Sequence, residues 1–193
     1  ERVADDLDLT AARCGPTSDL AENPAKALAA QLAGSLPYLW GSSELATVAA
    51  SRFAAQLAEN AKYPAVTGGL TEVHHNQVVT MAGNFGVLAV NDEDIFRDRV
   101  EEERAWPRMR VLLLRDSVEL PEVARRREAT YGLGERYAVP VTEIAAEGDH
   151  PVDRLASLVA PLDFASVYLA LVQGIDPSPI DPIVMLKQGD TSA

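Results

Sequence analysis

Few side chains in this sequence combine a reactive type with a suggestive spacing, and they fall in two runs. The first is Gln56-Leu-Ala-Glu59-Asn60-Ala-Lys62-Tyr-Pro64, where Glu59 offers a carboxylate near the end of a helical pattern. The second is Glu72-Val-His74-His75-Asn76, which holds two of the chain's three histidines. An imidazole titrates near neutral pH and suits general acid–base work. Histidines also serve loops by bonding backbone, and that reading stands beside the first. A metal needs three or four ligands. Glu72 is near the pair but Cys14 and His150 are remote, so no metal site is expected. The Gly41-Ser42-Ser43 loop could cradle a phosphate on backbone N–H groups at a helix start, or simply cap that helix. Lys187 suits the dipole at the end of a C-terminal helix. Taken singly, Glu59 reads equally as a solvated charge. Spacing alone assigns no function to Glu59, the histidine pair or Lys187.

The elements that must position these groups follow from punctuation and periodicity. Asn23-Pro24 reads as an N-cap and N1 proline, opening a helix through Ala33 with Gly34 as its stop. Leu36 to Trp40 reads as a short buried strand. After the serines a helix runs to about Lys62, with Leu45, Val48, Ala49, Phe53 and Leu57 at helical spacing. Arg52, Gln56 and Glu59 fall on neighbouring turns and share part of one polar face. Val87 to Val90, Val111 to Leu114 and Val139 to Ala145 are expected strands, and Pro121 to about Tyr131 an expected helix. Gly132-Leu133-Gly134 lacks the third glycine of a dinucleotide fingerprint and follows a helix, so it reads as a helix stop. Pro151 opens a long apolar helix through Val172, in which Pro161 and Asp163 predict a break or kink. Residues 174–187 read as a Pro-rich turn and a short terminal helix. Repeated strand–helix order implies an α/β fold with a mainly parallel sheet covered on both faces. Ligands in such folds sit at strand carboxyl ends near a topological switch point, where the Gly41-Ser42-Ser43 loop would lie.

Composition bounds the partners. The 193 residues are 47% hydrophobic and 24% charged, the make-up and size of one folded domain. A single cysteine, Cys14, excludes an intrachain disulfide and suits a reducing, cytoplasmic setting. Net charge is −12, and the longest cationic cluster, Arg125-Arg126-Arg127, is framed by Glu122 and Glu128 like a solvated helix face. Nucleic acid is therefore not an expected partner. No apolar run reads as the ~20 residues of a membrane span, so no membrane is expected either. The chain opens on Glu1 with no signal pattern, which suggests a piece of a longer chain.

Several motifs in order resemble a known family. The run from Gln56 to Ala65, followed by Glu72-Val-His74-His75-Asn76, resembles the second half of the bifunctional phosphoglucose/phosphomannose isomerases, of the sugar isomerase (SIS) superfamily. Asn23-Pro-Ala-Lys26 with Leu36-Pro37 and Gly41 resembles the entry into that domain. Asp163-Phe-Ala-Ser166-Val-Tyr168 resembles its late helix, and Gly174-Ile-Asp176-Pro177-Ser-Pro179 through Lys187 its tail. Residues 85–106 read as an extension outside the pattern.

The resemblance implies a three-layer αβα SIS-type domain over residues 23–188. Residues 1–22 would then be a linker or helix from a missing first half, and 189–193 a tail. It implies aldose–ketose isomerisation of glucose 6-phosphate and mannose 6-phosphate to fructose 6-phosphate in a full-length homodimer, without cofactor. Glu59 matches the family's base, His75 the ring-opening histidine reaching from the neighbouring subunit, and Lys187 the tail lysine near ring and phosphate. Arg52, Gln56, Glu72, Asn76, Ser42 and Ser43 are candidate binding or positioning residues. Thr71, His74, Gln77 and Ala54 depart from the pattern, which has Pro, Asn, Glu and a basic residue there. A non-catalytic phosphosugar-binding or assembly module is the other reading.

Overall fold

The computed structural model describes residues 2–87 and 107–189. Four strands, β1 (Ser35–Gly41), β2 (Val66–Gly69), β3 (Arg108–Arg115) and β4 (Val141–Ala145), form one parallel sheet in the order β2-β1-β3-β4. Leu39 lies opposite Thr67 on one side and Leu112 on the other, and Leu113 opposite Glu143. The chain leaves β1 for β2 on one flank and later enters β3 on the other, so the switch point lies between the carboxyl ends of β1 and β3.

Strand alternation divides the core into two halves. Leu39, Leu112 and Leu114 face α1 (Arg2–Cys14), α2 (Pro24–Leu32), α3 (Glu44–Ala61) and α6 (Pro151–Val172). Tyr38, Trp40, Val111 and Leu113 face α4 (Leu70–Val73), a short 3-10 helix (Gln77–Ala82) and α5 (Pro121–Arg136). The last helix, α7 (Asp181–Gln188), buries none of its residues. Local signals account for the helix starts. The Asn23 side chain accepts from Lys26 N and Ser43 from Ala46 N, each opening its helix.

Some expectations change. Gly132 and Gly134 lie inside α5, not at its stop; the left-handed residue that ends the helix is Ala138, at φ 53°. α6 runs unbroken through Pro161. It is also, by length and composition, long and apolar enough to cross a membrane, contrary to the sequence expectation. Packing explains that composition: Leu158, Leu162 and Leu169 are buried against α2 and α3, each worth roughly 1.5–3 kcal/mol. The segment 1–22 contains the helix α1 and packs on the core, where Cys14 is buried and the Tyr168 hydroxyl donates to its carbonyl at 2.5 Å. Arg127 is not a solvated charge, for its side chain is only 18% exposed and pairs with Glu119, Glu128 and Glu143. β2 has no counterpart in the sequence reading. The strand expected at 87–90 and nearly all of the 85–106 extension lie outside the described residues.

Candidate active site

At the switch point an open cleft of about 610 Å³ is lined by Ser42, Ser43, Glu44, Thr47, Thr71 and Val118 among others. Its serines are already engaged. Ser42 is buried; its N–H donates to Leu114 O at 2.9 Å and its Oγ accepts from Asp116 N at 2.8 Å, locking β1 to β3. Ser43 caps α3 and donates to Asp116 Oδ2 at 2.8 Å. Asp116 is 3% exposed and forms an ion pair with Arg154 Nε at 2.8 Å. An anion thus stands beside the start of α3, and it is the chain's own carboxylate. The geometry favours the capping reading of the serines.

Glu59 lies sixteen residues along α3 from Ser43, about 24 Å of helix. The serines and the carboxylate therefore do not share a site within this chain. Glu59 is exposed. The turn beneath it is held firmly: Asn60 Nδ2 donates to the buried Ser166 Oγ at 2.8 Å and to Gln56 Oε1 at 3.2 Å. Arg52 forms a two-point pair with Asp163, at 3.2 and 2.7 Å. Arg52 and Asn60 thus bond directly to α6, and Gln56 joins them through Asn60. Lys62, in the left-handed region at φ 54°, ends α3. Its ammonium donates to Glu59 O at 2.8 Å and Pro177 O at 3.3 Å. The tail turn leading to α7 and Lys187 starts at this corner. Lys187 is itself exposed.

His75 follows α4, on the other face of the sheet from α3. It is exposed, as are Glu72 and Asn76, which bond to each other at 2.9 Å. His74 turns inward, its Nε2 2.9 Å from Thr130 Oγ1. Burial, then the charges of Arg126 and His75, hold its imidazole below the ordinary value. Glu72, His74 and His75 do not converge on a common point, and among the described residues no group of three or more His, Cys, Asp or Glu could hold a metal. Glu59 and His75 are thus set on opposite faces of the sheet, and this chain alone does not bring them together.

Similarity to known proteins bears on these positions. The family model for the bacterial phospho-glucose isomerase C-terminal SIS domain matches residues 21–189. The chain belongs to that family. This SIS domain is 28% identical over 166 residues to a bifunctional phosphoglucose/phosphomannose isomerase of Caldicellulosiruptor bescii, covering 86% of this chain and 44% of that one. It is 27% identical to the enzyme so named from Aquifex aeolicus, covering 84% and 45%. The chain spans about half the length of these curated relatives. Among solved structures, a glucose-6-phosphate isomerase like protein from Thermus thermophilus matches at TM-score 0.66 and 22% identity, over 97% of this chain and 55% of that one. The C-terminal domain of glucosamine-fructose-6-phosphate aminotransferase from Francisella tularensis matches at 0.56 and 14%, over 92% and 47%. At such identities these two structures speak for the fold alone.

The most perturbed cluster of the SIS domain lies elsewhere. Glu143 on β4 accepts from Arg115 at 2.8 Å and from the Tyr131 hydroxyl at 2.5 Å. Burial raises the Glu143 carboxyl, but these donors and the charges of Arg115 and Arg127 outweigh it and hold the pKa low. Burial, reinforced by Glu143, pushes the Tyr131 phenol up to about 12. Every member is paired, which marks a brace between β4 and α5 rather than a poised acid or base. The sequence reading missed Asp116 as the partner of the serines. Its only sequence signal is its place right after the buried strand that neighbours their own.

Proposed function

We propose that this SIS domain supplies the proton-transferring part of an aldose–ketose isomerase that converts glucose 6-phosphate and mannose 6-phosphate to fructose 6-phosphate. The observation that carries the reading is the exposed Glu59 at the end of a rigid helix, beside the tail turn, in a chain of this family. Glu59 takes the proton from C2 of the open-chain aldose, giving a cis-enediol(ate), and returns it to C1. His75 handles the ring oxygen during opening, and the Lys187 ammonium offsets the developing enolate charge. The electrons stay within the substrate, so this mechanism calls on no redox cofactor. Because Glu59 and His75 occupy opposite faces, each site takes Glu59 from one copy and His75 from the other, in a homodimer. The remaining length of the relatives corresponds to a first half that holds the phosphate.

The test is a coupled isomerase assay on the full-length protein with both aldose phosphates. Turnover of at least one is expected, and mixing inactive Glu59→Gln and His75→Ala variants should restore part of it through hybrid dimers. Tight binding of a sugar phosphate without turnover would instead make the domain a non-catalytic binding module.

A further inference from the structure

His75 stands between two neighbours whose side chains both turn back into the domain. On one side, His74 Nε2 meets the Thr130 hydroxyl of α5. Thr130 is fully buried and its single hydroxyl proton goes to Arg126 O at 2.9 Å. The Thr130 oxygen can therefore only accept from His74, which places a proton on the imidazole Nε2. On the other side, Gln77 Oε1 accepts from the indole N–H of the fully buried Trp40 at 2.8 Å, and its Nε2 donates to Thr67 O at 2.9 Å. Trp40 only donates and a carbonyl only accepts, so the amide orientation is fixed too. Gln77 thereby spans β1 and β2, and Gly68 leaves room for Val73 and Gln77: a Cβ there would lie 2.4 Å from Val73 Cγ1 and 3.1 Å from Gln77 Nε2. Between these anchors the backbone is closed locally, with His75 N donating to Glu72 O at 2.9 Å and Asn76 Oδ1 accepting from Gln77 N at 2.6 Å. Among the described residues the His75 imidazole has no hydrogen-bond partner.

We propose that His74 and Gln77 are positioning residues, a clamp that pins loop 74–77 to α5 and to the sheet and holds the His75 imidazole outward for use in a site shared with another copy. This rests on the reading of His75 given above. The resemblance described above implies Asn at 74 and Glu at 77 instead. A glutamate at 77 would keep an acceptor for Trp40 but set a carboxylate oxygen against the Thr67 carbonyl. Placement errors of about 1 Å in a reacting group can cost up to ~10² in rate, so a loosened loop should be visible in kcat.

The experiment uses the full-length protein with Thr130→Val, which removes the acceptor for His74, Thr130→Ser, which keeps it, and Gln77→Glu. Amide hydrogen exchange at His75 and Asn76, and imidazole nitrogen shifts, report the loop without reference to activity. Wild type and Thr130→Ser are expected to show His74 protonated on Nε2 and slow exchange at both amides. Thr130→Val and Gln77→Glu should show faster exchange and a kcat about ten-fold or more lower, with KM little changed. Unchanged exchange and ring signals in Thr130→Val and Gln77→Glu would overturn the clamp, as would a loosened loop that leaves kcat intact. If the loop loosens as expected in a protein whose wild type turns over no sugar phosphate, the clamp stands and the catalytic reading of His75 falls.

Discussion

At the start of α3 the side chains of Ser42, Ser43, Asp116 and Arg154 are consumed by one another, whereas at its end Glu59 stands exposed on a turn fixed by Asn60 and Ser166. Both ends carry polar residues in short, distinctive motifs, and both qualify by sequence as candidate sites. What separates them is whether the polar atoms already have partners. A serine-rich loop at a switch point looks ready for an anion, yet here the fold provides that anion from the neighbouring strand. At the other end of the helix the Glu59 carboxylate has no partner among the described residues, while Gln56, Asn60 and Lys62 beside it are tied down. That combination of a rigid base and an unpaired head suits proton transfer better than a mobile surface charge does.

The largest expected effect would come from removing that carboxylate. Glu59→Gln should lower kcat by at least ~10², up to ~10⁴, with substrate binding little changed. Glu72→Gln, which keeps an oxygen to accept from Asn76, should cost far less. The measurement is kcat with fructose 6-phosphate in one purified background. A Glu72→Gln enzyme that is dead beside a near-normal Glu59→Gln enzyme would reverse the roles.

The closed end should answer in stability instead. Asp116→Ala leaves Arg154, whose side chain is 11% exposed, without its carboxylate and strips Ser43 of its acceptor. A loss of about 3 kcal/mol is expected in urea unfolding. A change below ~0.5 kcal/mol would mean that the pairing at this end contributes nothing.

The same contrast between filled and open positions recurs within α5. Gly134→Ala would place a Cβ 2.5 Å from Val141 Cγ2 and 2.8 Å from Val139 O, whereas a Cβ on Gly132 meets nothing within 4 Å. Replacing Gly134 should destabilise by ~1–2 kcal/mol. Replacing Gly132 should stabilise by about 0.5–1 kcal/mol, since alanine favours the helix. Thermal midpoints of the two variants should move in opposite directions.

The smallest effect concerns pH. Arg126 and Thr130 of α5 and His75 of its own loop face His74, and its folded pKa lies below the ordinary value near 6.5. Below that pH the unfolded chain takes up a proton that the folded chain resists. The contribution to stability is therefore complete above about 6.5 and is lost as pH falls toward the folded pKa. His74→Gln should flatten this part of the melting-temperature profile. An unchanged slope would remove His74 as its source.

Much of the architecture was legible because its signals are local. Asn23 before Pro24 and Ser43 before an apolar-periodic run mark helix starts, and Val111 to Leu114 is too short and too continuous for anything but a buried strand. β2 was not legible, since Val66–Gly69 has two glycines in four residues and no apolar run. It is held by its pairing with β1. The site was legible only as residues. Arg52, Gln56 and Glu59 lie on one helix face, as the spacing i, i+4, i+7 requires, but spacing does not say that Asn60 is the residue tied to Gln56 and Ser166. The link between Ser43 and Asp116 spans 73 positions, and no spacing rule reaches that far.

The late position of α6 has a consequence for biosynthesis. Arg52 meets Asp163 across 111 residues, and the core cluster that holds Phe53 and Leu57 is closed only when α6 arrives. A ribosome adding about 5–20 residues per second needs roughly 6–20 s to travel that interval. Throughout it the emerging chain displays an incompletely covered α3, followed by the long apolar α6. The interval is an opening for chaperones that bind apolar segments, and stalled nascent chains ending before and after α6 should differ sharply in how well they retain such a chaperone.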